Sequence, residues 1–153
     1  ANGLLSRIGN GDDKAAIATV TATAQRYGFT SSEELRTLTG MASGNAVENW
    51  TSTRDCGSFL SQVYAGTLVS KNASERMMQL LLGQTRRTKI PAGVPSGVKV
   101  ANKTGELAAV QNDVAIVFGT HPYVLAVMSN DISSAVAPSQ ITELSRAVWD
   151  AAQ

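Results

Sequence analysis

The chain has 153 residues, the length of one domain, with an apolar fraction of 43% and a charged fraction of 16%, values typical of globular rather than disordered or fibrous proteins. The 13 Lys and Arg against 12 Asp and Glu leave a net charge of +1, which gives no support to a nucleic-acid-binding surface or a surface for anionic membranes. One cysteine and one histidine exclude an internal disulfide, a cysteine-based metal site and a histidine cluster, and no apolar run is long enough for a membrane span.

Hydrophobic spacing predicts helices in the first half of the chain, at residues 14–27, 55–65 and about 73–82. A long ordered loop is predicted for residues 30–51, where no period is sustained. The first two helices have candidate N-caps and are followed by glycine. The candidate caps are Asp12 or Asp13 and Thr53 or Asp55.

After Pro91 the pattern changes from helical to alternating. Residues 98–105 alternate with a period of two, and 114–119 and 123–129 are rich in β-branched and aromatic residues, so three strands are predicted. A last amphipathic helix begins near Pro138. Antiparallel strands closed by a helix indicate an α+β fold.

The sharpest local signal is the triplet Lys103-Thr104-Gly105 on the first predicted strand. A Lys-Thr-Gly triplet is one of three elements of the penicillin-recognising serine enzymes. The lysine supplies a fixed positive charge, the threonine offers a hydroxyl to a substrate carboxylate, and the glycine lets a substrate lie against the strand. The same triplet also occurs in ordinary turns, so the tripeptide alone does not decide the function.

The segments around the triplet extend this signal in both directions. Residues 90–95 lead into 100–107, and 112–117 and 123–129 follow. In order and spacing these segments closely resemble the C-terminal half of class A β-lactamases and related penicillin-recognising serine hydrolases. Residues 49–55 also resemble the segment that follows the Ω-loop of that family.

The resemblance covers essentially the whole chain and is most specific over residues 90–129. It implies an α+β fold that is the C-terminal part of the β-lactamase and D,D-peptidase fold: helices, then a three-stranded antiparallel sheet, then a C-terminal helix. The family's nucleophilic serine lies in a Ser-x-x-Lys helix upstream, and residues 1–5 resemble those that follow the family's Ser-Asp-Asn motif. We therefore expect residues 1–153 to be a partial domain without the N-terminal strands and the Ser-x-x-Lys helix.

Roles for the residues around the triplet follow from the resemblance. It implies that Lys103 is a catalytic residue that stabilises charge, that Thr104 contacts the substrate carboxylate, and that Gly105 gives backbone clearance. The backbone N–H of Glu106 would be one of two oxyanion-hole donors. The resemblance implies no metal and no organic cofactor. Because the covalent route needs the nucleophile, the chain alone is expected to be inactive.

Two departures from the family pattern concern turnover. In class A enzymes an Arg on the Ω-loop is followed two residues later by the Glu that activates the deacylating water; here Arg36 is the best match and Leu38 occupies the second position. Leucine cannot act as a base, and Glu48 lies too far along the chain. Many lactamases also place an Arg just before the position of Asn112, and this chain does not. Fast lactam turnover is therefore not expected.

The sequence favours a bacterial β-lactamase-like serine hydrolase that transfers an acyl group from a β-lactam or a D-Ala-D-Ala peptide to a serine outside this chain. One alternative is a D,D-carboxypeptidase-like enzyme that acylates slowly. The other is a non-catalytic cell-wall-binding or interaction module that keeps the fold. Because the family works outside the cytoplasm, we expect the protein at the cell surface, in the periplasm or outside the cell.

The last predicted strand, 123–129, is expected to have an unpaired edge, because in the family two N-terminal strands lie beside it. An open edge invites pairing, so the expected partners are the missing N-terminal half or a second copy of the chain.

The basic residues Arg86, Arg87 and Lys89 precede the first strand. They are predicted to form a solvated loop, and contact with an anionic wall polymer is the alternative.

Overall fold

The computed structural model of the chain describes residues 1–37 and 48–153. It divides the chain into two compact units, Ala1–Asp55 and Cys56–Gln153, which are taken in turn. No helix within the described ranges is both long enough and apolar enough to cross a membrane.

The first unit contains helices α1 (Asn2–Ile8) and α2 (Asp13–Arg26). The Asp12 side chain caps α2 by accepting a hydrogen bond from the Ala15 N–H at 3.1 Å, which confirms the predicted helix and one of its candidate caps. Helix α1 has no counterpart among the predicted helices, because seven residues are too few for a periodic signal. In α2 only Ala16 is buried, so the predicted apolar face is only partly covered.

Helix α3 (Thr53–Ala65) begins at the end of the first unit, and α4 (Lys71–Leu82) lies within the second. Both were predicted, and α4 starts before residue 73 because the Ser70 hydroxyl accepts a hydrogen bond from the Ala73 N–H at 3.2 Å. A short 3₁₀ helix, Ile90–Gly93, follows.

The second unit contains an antiparallel sheet with the strand order β1-β2-β3. The strands are β1 (Lys99–Leu107), β2 (Val110–Phe118) and β3 (Tyr123–Val127), and helix α5 (Ala137–Ala152) ends the chain. The predicted α+β class and the sequence of elements are confirmed. The structure corrects the start of β2, which lies at Val110 and not at 114.

The main core lies between the sheet and α5. Buried residues from the 3₁₀ helix, the first two strands and α5 meet there: Ile90, Val100, Ala115, Val117 and Ile141. α4 also contacts β1. Val100, Ala101 and Asn102 are buried in succession, and because successive side chains alternate between the faces of a strand, both faces of β1 are covered there.

Candidate functional site

The Lys-Thr-Gly triplet lies in β1, an edge strand of the sheet. In the described part of the chain, no strand pairs with the outer side of β1. The Lys103 side chain is exposed, and its Nζ donates a hydrogen bond to the Thr104 carbonyl. Successive side chains alternate between the two faces of a strand, so the Thr104 side chain lies on the opposite face, where that residue is 7% exposed. The Lys103 side chain is therefore exposed to solvent, whereas the Thr104 side chain lies on the buried face of β1.

The backbone N–H and C=O groups of successive residues in β1 point alternately toward β2 and toward the free edge. The Val100 carbonyl accepts a hydrogen bond from Arg87 Nη1 at 3.1 Å, and the Thr104 carbonyl accepts one from Lys103. Both carbonyls therefore point away from β2. In an antiparallel strand the N–H and C=O of one residue point to the same side, and every second residue repeats the direction. Glu106 therefore turns its N–H to the free edge, where the resemblance puts an oxyanion donor.

Gly105 is not required by the packing of the sheet. A Cβ built on this residue would lie 3.6 Å from the Asn112 Cβ, an ordinary contact, and its φ is not in the left-handed region. The packing around Gly105 would therefore accept the methyl group of an alanine. The clearance for a bound molecule that the resemblance implies at Gly105 stays a prediction.

The Glu106 side chain is held by two cations from the segment before β1. Lys89 Nζ donates to Glu106 Oε1 at 3.1 Å and to the Asn112 carbonyl at 3.2 Å, and Arg86 donates to Glu106 Oε2. The prediction of a solvated loop is wrong, because Lys89 is 1% exposed and Arg87 bonds to β1. Of the three, only Arg86 has a well-exposed side chain.

Beneath this ion pair lies a buried carboxyl group, Asp113, with no exposed surface. Asn102 Nδ2 donates to its Oδ1 at 3.0 Å, and the Ile90 N–H donates to its Oδ2 at 3.0 Å. Burial raises the pKa of Asp113 above its usual value, and the two hydrogen bonds and the charge of Lys89 oppose that rise. The carboxyl group ties the 3₁₀ helix to both β1 and β2.

In the first unit a cluster of polar contacts joins the two ends of the segment that contains Leu38. Asn49 Oδ1 accepts hydrogen bonds from the N–H groups of Leu35 and Arg36 at 2.8 and 2.9 Å, and Arg36 pairs with Glu48 at 2.5 Å. Glu48 is thus engaged by Arg36, the residue matched to the family's Ω-loop Arg. Leu38, at the expected base position, lies outside the described residues.

A cavity of about 300 Å³ also lies in the first unit, lined by Glu33, Glu34 and Trp50 among others. Trp50 is 64% exposed, and burial raises the pKa of Glu34 although the charge of Arg36 opposes it. The lining includes none of the triplet residues, so we assign no role in acyl transfer to this cavity.

One Ser-x-x-Lys spacing does occur in the chain, from Ser96 to Lys99. Ser96 is a corner residue of a turn closed by a 3.2 Å hydrogen bond from the Val98 N–H to the Pro95 carbonyl, and Lys99 begins β1. The two residues therefore do not share the helical turn that the family's motif requires. This spacing is not the family's nucleophile site.

Within residues 1–37 and 48–153, no group of three His, Cys, Asp or Glu side chains is placed to hold a metal ion. At the edge of β1, Lys103 presents a positive charge and Glu106 an outward N–H donor.

The structure brings the predicted Lys103, Thr104, Gly105 and Glu106 together in one stretch of edge strand. Sequence reasoning missed the buried residues that surround them: Lys89, Asn102 and Asp113. The one available signal was the alternation on β1, which put Asn102 on the inner face between Val100 and Thr104. A buried Lys89 could not be inferred, because its partners lie far along the chain.

Comparison with known proteins gives a family match and several structural matches. The family model described as the β-lactamase enzyme family matches residues 4–152. A search of curated proteins finds no match. Among solved structures, PBP-A superposes with a TM-score of 0.78 at 25% identity, over 88% of this chain and 51% of PBP-A.

Two β-lactamases superpose with somewhat higher TM-scores. The enzyme from Sphaerobacter thermophilus DSM 20745 gives a TM-score of 0.83 at 24% identity, over 92% of this chain and 55% of that enzyme. The extended-spectrum β-lactamase TLA-1 gives 0.82 at 24%, over 93% and 58%. The chain thus spans little more than half the length of the structures it matches. Since the family model matches nearly the entire chain, the protein belongs to the β-lactamase enzyme family.

Proposed function

We propose that this chain forms one side of the substrate-binding site of a penicillin-recognising serine hydrolase. The serine that is acylated by a β-lactam or a D-Ala-D-Ala peptide lies outside these 153 residues. The observation that carries the proposal is the edge of β1, where the Lys103 ammonium is exposed and the Glu106 N–H points away from β2. The family match supports it. A PBP-A variant with a leucine-to-glutamate change has been solved as an acyl-enzyme complex with penicillin G.

In this proposal each group acts on a different part of the substrate. Lys103 stabilises the negative charge that develops during acyl transfer, and the Glu106 N–H donates to the oxyanion of the tetrahedral intermediate. The role that the resemblance implies for Thr104, contact with the substrate carboxylate, requires its hydroxyl to reach the substrate from the buried face of β1. Gly105 lets the substrate backbone approach the strand. The serine outside the chain attacks the substrate carbonyl, and the amide C–N bond breaks as its nitrogen takes up a proton, which leaves an ester on the serine. Water then hydrolyses this ester, giving the free serine and a carboxylic acid.

A slow acylating enzyme of the D,D-carboxypeptidase type is the second candidate. Leu38 stands two residues after Arg36, where the class A pattern has the base for deacylation. Without that base the acyl-enzyme would persist, because water would attack the ester without assistance. The lifetime of the adduct separates the two candidates.

We further propose that the chain is inactive alone and works with a missing N-terminal half, outside the cytoplasm of a bacterium. The open edge of β3 is one surface that such a partner would cover. The same edge would otherwise accept a second copy of the chain.

The experiment is intact-mass analysis after incubation with penicillin G, on this chain and on a longer protein that also carries the Ser-x-x-Lys helix. We expect no adduct on the chain alone and one adduct per molecule of the longer protein. The Lys103→Ala variant should acylate far more slowly. Lys99→Ala is the matched control, because Lys99 is also exposed and lies on the same face of β1.

Three outcomes would count against the proposal. Equal acylation by the Lys103→Ala and Lys99→Ala variants would remove Lys103 from the site. An unmodified longer protein would favour the non-catalytic module. An adduct on the chain alone would require a nucleophile among its own serines, and Ser96→Ala would be the first variant to test.

A further inference from the structure

We propose that Lys89 is a positioning residue for acyl transfer: through the Glu106 side chain it fixes the end of β1 whose N–H receives the substrate oxygen. This inference rests on the proposed function, in which that N–H is an oxyanion donor. Lys89 itself does not contact the substrate.

The burial of Lys89 is the first observation. Its side chain is 1% exposed, and a buried ammonium is costly unless ion pairs and hydrogen bonds compensate it. Lys89 Nζ has two such partners on different strands, Glu106 Oε1 at 3.1 Å and the Asn112 carbonyl at 3.2 Å. Gly105 pairs with Asn112 in the β1–β2 register, one rung from Glu106. The ammonium therefore joins both strands beside the proposed donor.

The segment that carries Lys89 is already anchored by its neighbour. The Ile90 N–H donates to Asp113 Oδ2 at 3.0 Å, and the Ile90 carbonyl accepts a hydrogen bond from Ser145 Oγ at 2.9 Å. The Ile90 side chain is fully buried in the core. Lys89 itself supplies the two contacts that reach the strands, to Glu106 Oε1 and to the Asn112 carbonyl.

The backbone at the donor is restrained on its inner side by the strand ladder, in which Gly105 pairs with Asn112 and Leu107 with Val110. Glu106 follows a glycine, whose φ and ψ are less restricted than those of any other residue, and the residues beyond it, Leu107 to Ala109, are exposed. On the outer side of β1, neither local sterics nor burial adds to the restraint that this ladder gives the peptide carrying the Glu106 N–H. Lys89 holds one carboxylate oxygen and Arg86 the other, so the side chain is tied at both oxygens.

The size of the effect follows from the proposed role. Removing an oxyanion donor costs about 10²–10³ in rate, and a misplacement of about 1 Å can cost about 10². The donor remains in a Lys89→Met variant but is less well placed. We expect the acylation rate constant to fall by about 10- to 100-fold, with the dissociation constant for the non-covalent complex changed by less than about threefold.

The test measures acylation of the longer protein by a fluorescent penicillin in a stopped-flow instrument, which separates the acylation rate constant from the dissociation constant. The variants are Lys89→Met, Glu106→Ala and the double variant, with Lys71→Met as a control on exposed α4. If Lys89 acts through Glu106, the double variant should be no slower than the slower single variant, because both changes break one contact. A purely structural role would instead give additive losses.

Each result decides a different question. If the unaltered longer protein is not acylated, the proposed function fails and this inference falls with it. If it is acylated and Lys89→Met keeps its acylation rate constant, the inference alone is wrong. Should Lys89→Met fail to fold, Glu106→Ala decides, because the Glu106 side chain is partly exposed; an unchanged rate constant in that variant also overturns the inference.

Discussion

Asp113 shows how a single buried carboxyl group connects three elements of the second unit. Its two oxygens accept hydrogen bonds from β1, through Asn102, and from the 3₁₀ helix, through the Ile90 N–H. Within residues 1–37 and 48–153, Asn102 Oδ1 has no hydrogen-bond partner, and its Nδ2 donates to Asp113 Oδ1 and to the Arg86 carbonyl. The residue thus organises the polar end of the core while its own charge is desolvated.

The pH dependence of stability should reveal this desolvation. Because burial raises the pKa of Asp113, the native state binds the proton more tightly than the unfolded chain. The resulting stabilisation is fully present below the unfolded pKa, about 3.9, and is lost as the pH rises through the native pKa. The unfolding free energy of the unaltered chain relative to Asp113→Asn should therefore be greatest near pH 4 and fall toward pH 7, measured by urea titration.

Asp150→Asn, at an exposed site on α5, controls for the loss of one negative charge. A difference between the unaltered chain and Asp113→Asn that is flat or grows with pH would show that the hydrogen bonds and Lys89 outweigh burial.

Gly105→Ala tests whether the glycine of the triplet serves binding and not folding. The added methyl would make an ordinary 3.6 Å contact with Asn112, and alanine restricts the unfolded chain more than glycine does. We expect the unfolding free energy to stay equal or to rise by up to about 1 kcal/mol, while acylation of the longer protein by a penicillin slows. Loss of stability in urea titration would show that the fold itself needs Gly105.

At the scale of elements, Gly93 is the opposite case. A Cβ there would lie 2.5 Å from both the Ser145 Cβ and the Thr142 carbonyl oxygen, so α5 would have to move off the 3₁₀ helix. We expect Gly93→Ala to lower the unfolding free energy by about 1–3 kcal/mol, measured in urea beside Gly105→Ala as the matched glycine control. An unchanged midpoint would mean that α5 shifts without cost.

Sequence patterns predicted the elements whose signals are local. Asp12 caps α2 through a residue only three positions away. The alternation of apolar and polar residues in β1 likewise depends only on which face of the strand each side chain occupies. The start of β2 was missed because Gln111 and Asp113 are polar yet buried, and their burial depends on Ser129 and on the 3₁₀ helix. The burial of Lys89 was missed for the same reason, since its partner Glu106 is distant in sequence. The triplet could be predicted, and the residues that support it could not.

At the scale of the whole molecule, the open edge of β3 is the feature that bears on partners. Gln111 exchanges hydrogen bonds with Ser129 Oγ through both its N–H and its carbonyl, so its backbone faces the β3 side. Asp113, Ala115 and Val117 repeat that direction and pair with Val127, Leu125 and Tyr123. The residues between these, Val124 and Ala126, therefore turn their N–H groups to the open edge, where in the described residues no strand pairs with them.

If this edge drives self-association of the isolated chain, removing one outward N–H should suppress it. Proline lacks that donor and is tolerated on an edge strand, so Ala126→Pro should fold and remain monomeric at concentrations where the unaltered chain forms dimers or larger species in light scattering. Leu125→Pro is the matched control: it removes an N–H that bonds to β2 and should unfold the sheet in a thermal melt. A monodisperse monomer of the unaltered chain would contradict edge pairing, and equal association of Ala126→Pro would place the contact elsewhere.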